Sequence, residues 1–324
     1  MSNVLVIGGC GYIGSHCVHK LKHLGYEVSV LDSLVRGRRE FIPENIPLYV
    51  GDYSNLALVQ AILSDNAIET VIHCGAWTDV RESIREPMMY FINNLVGTTF
   101  LVKAMSHCHV KQIIYLSTAA VYGEVETGLA EESQVPNPVN PDGATHLGVE
   151  HLLASMVAAE RWSVVIFRIS NVVGRTKHKG EEILPSKDTL FSVLANVISG
   201  RQTHCEIFGC DRPTFDGSAV RDYVHVDDVA NAIVSVLSHM PPAGCQVIYN
   251  LASGRGDSVH DVIRCFENFF GKEIPFVESK SFLGEVARSV LQPRKAQDEL
   301  HWERRFNSLE SLVNDVGETC TMNP

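Results

Sequence analysis

Short apolar runs alternate with longer amphipathic stretches through the first half of the chain. The runs are rich in Val, Ile and Leu and are typical of buried strands. They predict strands at Val4–Ile7, Val28–Leu31, Leu48–Val50, Thr70–His73, Gln112–Ser117 and Val164–Phe167. The stretches between them predict helices over Ile13–Leu24, Leu56–Leu63, Phe91–His107 and about Ala144–Ala159. Apolar strands separated by helices pair in parallel with both faces covered, so we expect an α/β fold with a doubly wound parallel sheet, a Rossmann fold.

The alternation breaks after Asn171. The second half predicts a polar loop at a ligand cleft over Gly174–Asp188, a helix over Val224–Leu237, a strand at Val247–Asn250 and irregular structure over Phe276–Pro293. We therefore expect a nucleotide-binding lobe and a smaller C-terminal substrate lobe. The first comprises residues 1–172 plus about 222–257, and the second about 173–221 plus 258–324.

Composition narrows the class of protein. Apolar residues make up 45% of the 324 residues and charged residues 20%, which excludes disordered and fibrous proteins. The formal net charge of −11 argues against general binding to nucleic acid or to anionic lipid. No apolar run approaches the roughly 18 residues that a membrane span needs. The start, MSNVLVIGG, has no basic segment ahead of its apolar run, so we expect no signal peptide.

Cysteine and histidine spacing argues against a metal site. The nine cysteines are an odd number and form no CxxC pair, and the fourteen histidines form no HExxH pair. Free, buried cysteines are typical of a reducing compartment, so we expect a cytoplasmic protein without a bound metal.

A glycine-rich segment lies between the first predicted strand and the first helix. Residues 8–14 read GGCGYIG, which satisfies both GxGxxG and GxxGxxG. Such glycines permit a tight turn and let the backbone approach a pyrophosphate at a helix N-terminus. Asp32 ends the second strand, where a carboxylate binds the adenosine ribose and favours NAD over NADP. Three arginines just beyond keep NADP open: Arg36, Arg38 and Arg39.

Several longer motifs resemble one family. They are GGCGYIGSH at 8–16, YFINNLVGTTFLVKAM at 90–105, LSTAAVYGE at 116–124, FRISNVVG at 167–174, TFDGSAVRDYVHVDDVANAI at 214–233, NLASGRGDSV at 250–259 and KAQDELHW at 295–302. The chain is similar through almost its whole length to the extended short-chain dehydrogenase/reductases, and within them to the UDP-glucose (UDP-galactose) 4-epimerases. This resemblance implies a nucleotide-sugar epimerase with NAD as its cofactor and a UDP-sugar as its substrate.

The resemblance also implies residue roles. The dinucleotide would be lined by Gly8, Gly11, Tyr12, Ile13, Gly14, Asp32, Asp52 and Tyr53, with Gly75 and Asn93 on the nicotinamide side. Thr118 matches the family's catalytic Ser or Thr. Asn171 and Arg221 match residues around the UDP diphosphate, and Glu285 stands where an Asp usually binds the uridine ribose. Plainer alternatives are a loop cap for Asn171 and a pair with Asp222 for Arg221.

The family's Tyr and Lys, four residues apart in NPYGxxK, are replaced here. The matching segment reads NPDGATH, with Asp142 for Tyr and His146 for Lys. A phenol has a pKa of about 10, a carboxyl about 3.9 and an imidazole about 6.5. Spaced i and i+4, Asp142 and His146 share a helix face and could pair. We expect the Asp142 carboxylate to raise the pKa of His146, which makes His146 a candidate acid–base group. Because His146 stands at the position of the family's Lys, the resemblance also implies that it is a neighbour of the cofactor.

A second departure lies near the substrate. The family's Arg before Gly-Asp is absent from SFLGE at 281–285, and Lys280 or Arg288 are possible replacements. Ser289 is small at the position that limits the bulk at C2 of the sugar, so an N-acetyl group would be tolerated. Ala119 and Ala120 replace the acids that related dehydratases and decarboxylases carry after the catalytic Thr, which argues against those reactions.

These departures leave three hypotheses. The chain is an active NAD-dependent 4-epimerase that uses Thr118, Asp142 and His146, or a pseudoenzyme that binds NAD and a UDP-sugar in a structural or regulatory role. In the third hypothesis, the chain is a close relative of an active enzyme in which Asp142 and His146 were introduced or fixed.

The resemblance implies a homodimer, formed by the helix near Tyr90 and the helix after His146. The apolar positions are Leu95, Leu101, Val102, Met105, Leu152, Leu153 and Met156, which could equally belong to the core of one chain.

Overall fold

In a computed structural model of the chain, strands form at the apolar runs that the sequence predicts. The structure describes residues 2–125, 128–178, 181–183 and 189–322. The strands are Asn3–Ile7 (β1), Glu27–Asp32 (β2), Leu48–Val50 (β3), Thr70–His73 (β4), Gln112–Thr118 (β5), Ser163–Ile169 (β6), Asn171–Val173 (β7), Thr176–His178 (β8), Glu181–Ile183 (β9), Cys205–Phe208 (β10), Val220–Arg221 (β11), Tyr223–His225 (β12), Cys245–Leu251 (β13), Asp257–Ser258 (β14), Phe276–Ser279 (β15) and Arg288–Ser289 (β16).

The helices fill the intervals between most of these strands. They are Tyr12–His23 (α1), Leu56–Asp65 (α2), Val80–Arg85 (α3), Pro87–Tyr90 (α4), Thr98–His107 (α5), Pro141–Glu160 (α6), Leu190–Ile198 (α7), Val226–Ser235 (α8), Val259–Phe270 (α9), Arg294–Leu300 (α10) and Leu309–Met322 (α11). Within the described residues, no helix combines the length and the apolar character needed to cross a membrane.

Seven strands form one parallel sheet, ordered β13-β6-β5-β4-β1-β2-β3. Along β1, Val4 and Val6 face one apolar cluster while Leu5 and Ile7 face another, as the two-residue period of a strand requires. Helices α1 and α8 cover the first face, and α2, α5 and α6 cover the second. The predicted doubly wound parallel sheet is confirmed.

A third apolar cluster lies outside the large sheet. Helices α7, α9 and α11 pack around Phe191, Phe266 and Val313, which are buried. Strands β10 and β15 pair in parallel at its side. The chain therefore builds a second core from residues that follow β7.

The helix predicted over Phe91–His107 differs from the observed one. The helical run begins at Pro87, and residues Phe91–Gly97 form a wider π-helical turn before α5. The ring of Tyr53 lies against Gly97, where a Cβ would be only 2.8 Å from the ring, and its hydroxyl donates to Asn93 O at 2.6 Å. The wide turn accommodates this ring, and a period of hydrophobic residues does not reveal it.

Three predictions for the second half are wrong in part. The polar segment Gly174–Asp188 contains the antiparallel pair β8 and β9, although residues 179–180 and 184–188 lie outside the described part. The segment Phe276–Pro293 contains β15 and β16 instead of being wholly irregular. Strands β15 and β16 pair with segments about 70 residues away in the chain, so local pattern does not predict them. Strands β8 and β9 pair with each other, and their mostly polar residues give no apolar strand signal. Val224 and His225 end a strand, and the helix begins after His225 because its side chain accepts from Asp227 N.

A buried ion pair connects α6 to the sheet. Arg168 on β6 donates to Glu150 on α6 through Nη2 at 2.7 Å and Nε at 3.1 Å, and each residue is 3% exposed. Ser117 Oγ also donates to the Glu150 carboxylate at 2.6 Å. A buried pair of this kind holds the helix in place, because loss of either partner leaves an uncompensated charge.

Glu150→Ala should lower the free energy of unfolding by about 3–5 kcal/mol, because it leaves the Arg168 guanidinium buried without its anion. The measurement is urea unfolding. Asp298→Ala is the matched control, since its pair with Arg294 is exposed (66% and 78% for the two side chains) and should cost less than about 1 kcal/mol. Equal costs for the two variants would contradict this assignment.

Candidate active site

The turn between β1 and α1 is tightly packed against the end of β4. Gly8 has φ +72°, and a Cβ there would lie 2.7 Å from Gly75 Cα. A Cβ on Gly14 would lie 2.2 Å from Gly8 O. Neither position tolerates a side chain, so the glycines serve close approach of the backbone, as the sequence predicts.

The first turn of α1 is open to an anion. It starts after Gly11, which supplies no side-chain cap, and its residues Tyr12 to Ser15 include no acid. The N–H groups of Ile13 and Gly14 therefore lie at the positive end of the helix without a side-chain acceptor at the cap. Tyr12 contributes only its backbone here, because its hydroxyl donates to Gly174 O at 2.6 Å.

Asp32 ends β2 beside this turn. Its carboxylate accepts from Cys10 N at 2.9 Å and from Leu34 N at 2.8 Å, and the residue is 7% exposed. A Cβ on Gly37 would lie 2.7 Å from the carboxylate. The carboxylate is thus fixed next to the glycine turn, where it fits the hydroxyls of a ribose.

Tyr53, Gly75 and Asn93 lie together beyond the end of β4. The Tyr53 hydroxyl donates to Asn93 O, and Asn93 Nδ2 lies 3.4 Å from Gly75 O. Asp52 is exposed and accepts from Ser54 N at 2.7 Å. Four of the strand ends of the large sheet therefore contribute to a single edge, at β1, β2, β4 and the loop after β3.

Thr118 ends β5, and the first turn of α6 packs directly against the turn that follows it. Thr118 Oγ1 accepts from Ala120 N at 3.1 Å. A Cβ on Gly143 would lie only 2.5 Å from Ala120 O. Asn140 caps α6 by accepting from Gly143 N at 2.9 Å and donates to Gly284 O at 3.0 Å. This cap joins the Thr118 side of the site to the loop that carries Glu285.

Asp142 and His146 lie in the first two turns of α6, each 1% exposed. His146 Nε2 lies 3.6 Å from Asp142 Oδ1, and neither atom has a hydrogen-bond partner among the described residues. On its other side, His146 Nδ1 lies 2.7 Å from the hydroxyl of Tyr115, a fully buried residue of β5. The predicted i, i+4 proximity is present, at a distance longer than a hydrogen bond.

The expected direction of the His146 pKa is wrong. Burial lowers the pKa of His146 to about 4, because an imidazolium loses its hydration there. Burial, and secondarily the charge of Asp79, raises the pKa of Asp142 to about 7. Removal of water outweighs the attraction between the partners, so the neutral forms of both groups are favoured.

The residues expected around the diphosphate are already partnered. Asn171 Nδ2 donates to Asp222 O at 3.2 Å. The Arg221 guanidinium donates to Val286 O at 2.8 Å and to Val220 O at 3.0 Å, so it does not pair with Asp222. Ser289 lies opposite Arg221 in the β11–β16 register. Arg221 and Ser289 thus lie at the β11–β16 pairing, and Asn171 at the pairing of β7 with β12.

Glu285 is held between two arginines. Arg212 Nη2 lies 2.8 Å from its carboxylate, and Arg81 Nε lies 3.4 Å from it. The Arg81 guanidinium also stacks over the rings of Phe208 and Phe282, at 3.8 and 4.7 Å from their centres. Arg212 Nε is buried without a partner among the described residues. Neither Lys280 nor Arg288, the replacements suggested by sequence, belongs to this cluster.

Sequence reasoning missed Tyr115, Arg81 and Arg212. Tyr115 reads as one more core residue in the middle of an apolar strand. Arg81 and Arg212 lie 204 and 73 residues away from Glu285 along the chain, and no local pattern connects them. In the described residues, no group of three or more His, Cys, Asp or Glu side chains could hold a metal ion.

Comparison with known proteins matches this geometry. The model of the NAD dependent epimerase/dehydratase family matches residues 4–252. The chain is 35% identical to the UDP-glucose 4-epimerase of Bacillus subtilis (strain 168), covering 96% of this chain and 95% of that protein. It is 34% identical to the UDP-glucose 4-epimerase of Azospirillum brasilense, covering 97% and 90%.

Solved structures agree. The chain is similar to the UDP-glucose 4-epimerase of Bifidobacterium longum in complex with NAD⁺ and UDP, with a TM-score of 0.91, 30% identity, and coverage of 100% of this chain and 99% of that one. It is also similar to the Thermus thermophilus UDP-glucose 4-epimerase in complex with NAD, with a TM-score of 0.89, 29% identity, and coverage of 99% and 100%. The glycine turn, the position of the Asp32 carboxylate and the full-length similarity agree, and the chain belongs to the NAD dependent epimerase/dehydratase family.

Proposed function

We propose that this chain is an NAD-dependent nucleotide-sugar epimerase that interconverts UDP-hexoses at C4. The observation that carries the proposal is the shared edge of the sheet, at which the β1–α1 turn, Asp32 and Thr118 all lie. End-to-end similarity to UDP-glucose 4-epimerases, one of them in complex with NAD⁺ and UDP, supports this substrate class. The turnover test below distinguishes this proposal from the pseudoenzyme hypothesis.

The residues at the glycine turn fit a dinucleotide. Backbone N–H groups of Ile13 and Gly14 would hold the pyrophosphate, and Asp32 would accept from the ribose hydroxyls. Gly8 and Gly11 leave the backbone uncovered, which a diphosphate needs for close approach. Tyr53, Gly75 and Asn93 would flank the nicotinamide end, with Asp52 at the adenine end. The bound cofactor supplies a reversible hydride acceptor.

The proton chemistry falls to the first turns of α6 and the end of β5. Thr118 would orient the sugar hydroxyl, with His146 beside the nicotinamide ribose. Asp142 and His146 replace the family's Tyr and Lys, and burial keeps water away from both. A group with a pKa near the ambient pH is best suited to take and return a proton.

We propose the second core, about residues 173–221 plus 258–324, as the nucleotide-sugar lobe, against a dinucleotide lobe of residues 1–172 plus about 222–257. Asn171, Arg221, Glu285 and Ser289 would line the substrate, and the small Ser289 leaves room for an N-acetyl group. The diphosphate would be held by Arg81 and Arg212. Two guanidiniums share the single carboxylate of Glu285, which leaves positive charge beside the loop that Asn140 joins to α6.

A homodimer and a cytoplasmic location remain part of the proposal. Of the expected contact residues, Leu101, Val102, Met105 and Leu153 are buried within one chain. A different apolar set on the same helical run is exposed: Met88, Met89, Phe91, Ile92, Val96 and Phe100. We propose that this exposed set, and not the buried one, meets a second copy of the chain. None of the eight cysteines whose side chains the structure describes forms a disulfide, which suits a reducing compartment.

Purified protein incubated with UDP-galactose should produce UDP-glucose, since hydride return from either face of a 4-keto sugar gives both epimers. Separation of the two nucleotide sugars by chromatography measures the conversion. Bound NAD without any conversion would favour the pseudoenzyme, and Asp142→Tyr/His146→Lys should then restore turnover.

Gly14→Ala should abolish dinucleotide retention, because its Cβ would lie 2.2 Å from Gly8 O and must displace the turn. The nucleotide released on denaturation is measured by absorbance per mole of chain. Gly271→Ala is the control, because Gly271 follows α9, outside the glycine turn, and a Cβ there would meet no atom within 4 Å; this variant should retain the nucleotide. Full retention by Gly14→Ala would contradict the assigned site.

Arg212→Gln should weaken UDP binding about 10–100-fold, the range for losing a charge-assisted hydrogen bond, and weaken uridine binding much less. Calorimetric titration with each ligand gives both affinities. Arg294→Gln, whose side chain is 78% exposed, serves as control. An unchanged UDP affinity in Arg212→Gln would remove this residue from the diphosphate site.

A further inference from the structure

The hydroxyl of Tyr115 fixes the ring of His146. Both residues are buried, and the Tyr115 hydroxyl lies 2.7 Å from His146 Nδ1. Burial raises the pKa of Tyr115 well above its usual value, so the phenol keeps its proton. His146 Nδ1 is the acceptor within reach of that proton among the described residues. The phenol therefore donates, and Nδ1 accepts.

This bond determines which nitrogen of His146 carries a proton. A neutral imidazole has one donor and one acceptor nitrogen, so acceptance at Nδ1 places the hydrogen on Nε2. Nε2 faces Asp142 Oδ1 at 3.6 Å, and both atoms lack other partners in the described part of the chain. An imidazole locked in this way has no free lone pair with which to accept a substrate proton, whereas the carboxylate does.

We propose that Asp142 takes and returns the proton of the substrate hydroxyl, and that His146, held by Tyr115 as the Nε2–H tautomer, positions and stabilises the Asp142 carboxylate. This assignment rests on the proposed function and reverses the roles expected from sequence. In it, Tyr115 is a positioning residue, and His146 stays neutral and presents its Nε2–H to the Asp142 carboxylate at 3.6 Å.

The surroundings of the pair support this assignment. The pKa of Asp142 is raised to about 7, so both of its protonation states are populated at neutral pH. The pKa of His146 is lowered to about 4, so it stays neutral through that range. The groups that act on the pair are Asp79 from the cap of α3, His73 of β4 and Tyr115 of β5. Behind Tyr115 lie Tyr53 and Glu150, the latter paired with Arg168. Of these, Asp79 disfavours the anion of Asp142.

The proton transfer is balanced within the catalytic cycle. The O–H bond of the sugar hydroxyl breaks, its electron pair stays on that oxygen, and the proton forms an O–H bond with Asp142. The reverse transfer later returns the proton, so the carboxylate is regenerated. The hydride chemistry belongs to the cofactor of the proposed function, and this inference concerns only the proton.

Three variants separate the roles of Asp142 and His146. His146→Gln retains an N–H near the Nε2 position but cannot accept a proton, and it should keep kcat within about tenfold of wild type, whereas Asp142→Asn should lose at least about 1,000-fold. In Tyr115→Phe, the acidic limb of the pH–rate profile should move to higher pH. Without the Tyr115 hydroxyl, the Nε2–H of His146 faces Asp142 in only part of the molecules, so the carboxylate is stabilised less and its pKa rises. Tyr249→Phe loses a tyrosine hydrogen bond to Glu299 at the far edge of the sheet and should not move the profile. A His146→Gln variant as inactive as Asp142→Asn would overturn the assignment.

A measurement on the unreacting protein keeps the inference separate from the proposed function. Long-range ¹H–¹⁵N correlation of the His146 ring, in the protein as purified, should report a neutral Nε2–H imidazole from about pH 5.5 to about 8.5. Tyr115→Phe should add signal from the Nδ1–H tautomer. The ¹³C carboxyl shift of Asp142 should titrate with a midpoint of about 7. An imidazolium at about pH 6.5, or a wild-type Nδ1–H tautomer, would overturn the inference. Loss of sugar turnover with these signals intact would instead contradict the proposed function.

Discussion

Parallel pairing of the seven central strands is the constraint on which the site depends. Parallel strands end at the same edge, so β1, β2, β4 and β5 deliver their last residues to one crevice. The glycine turn after β1 and Thr118 at the end of β5 are more than a hundred residues apart in sequence. They lie at the same edge because the connections between these strands, most of them helices, return the chain to the opposite edge of the sheet before each strand begins. A dinucleotide and a sugar can then lie side by side.

Burial determines the chemistry at the first turns of α6. In the related enzymes, as the resemblance implies, a phenol has its pKa lowered towards neutrality by nearby positive charge. Here a carboxyl has its pKa raised towards neutrality by loss of water, to about 7 at Asp142. The two routes start from opposite ends of the pH scale and reach a similar value. An Asp in place of a Tyr therefore does not by itself imply a catalytically inactive site, provided that the carboxyl stays buried.

The same burial explains why His146 does not mimic the lysine it replaces. An ammonium keeps its charge when solvent or an anion compensates it, but the imidazole here lies against Tyr115 and is 1% exposed. Its neutral form is favoured, and its nitrogens become a donor and an acceptor with fixed directions. In the proposed site, positive charge near the substrate would come instead from Arg81 and Arg212, which are brought to Glu285 from distant parts of the chain. The replaced functions are thus distributed over residues outside the original motif.

Sequence alone predicted the central sheet well. Its apolar strands are buried on both faces, so the run of Val and Ile at each strand carries a strong signal; all the strands predicted for the sheet are present. The glycine turn and Asp32 could be predicted from the sequence equally well, because their spacing reflects a local backbone requirement. The strands β15 and β16 were missed because they depend on distant partners, and β8 and β9 because their polar residues lack the apolar signal of a buried strand. The pKa direction of His146 was wrong because spacing on a helix gives proximity to Asp142 but not the depth of burial that decides the charge.

The most direct test of the account is a crystal structure of this protein with NAD and a UDP-hexose bound. We expect the dinucleotide pyrophosphate at the N-terminus of α1 and a cofactor ribose hydrogen-bonded to Asp32. The reacting sugar hydroxyl should lie within hydrogen-bond distance of both Asp142 and Thr118. A dinucleotide absent from that edge, or a sugar hydroxyl that contacts neither side chain, would contradict it.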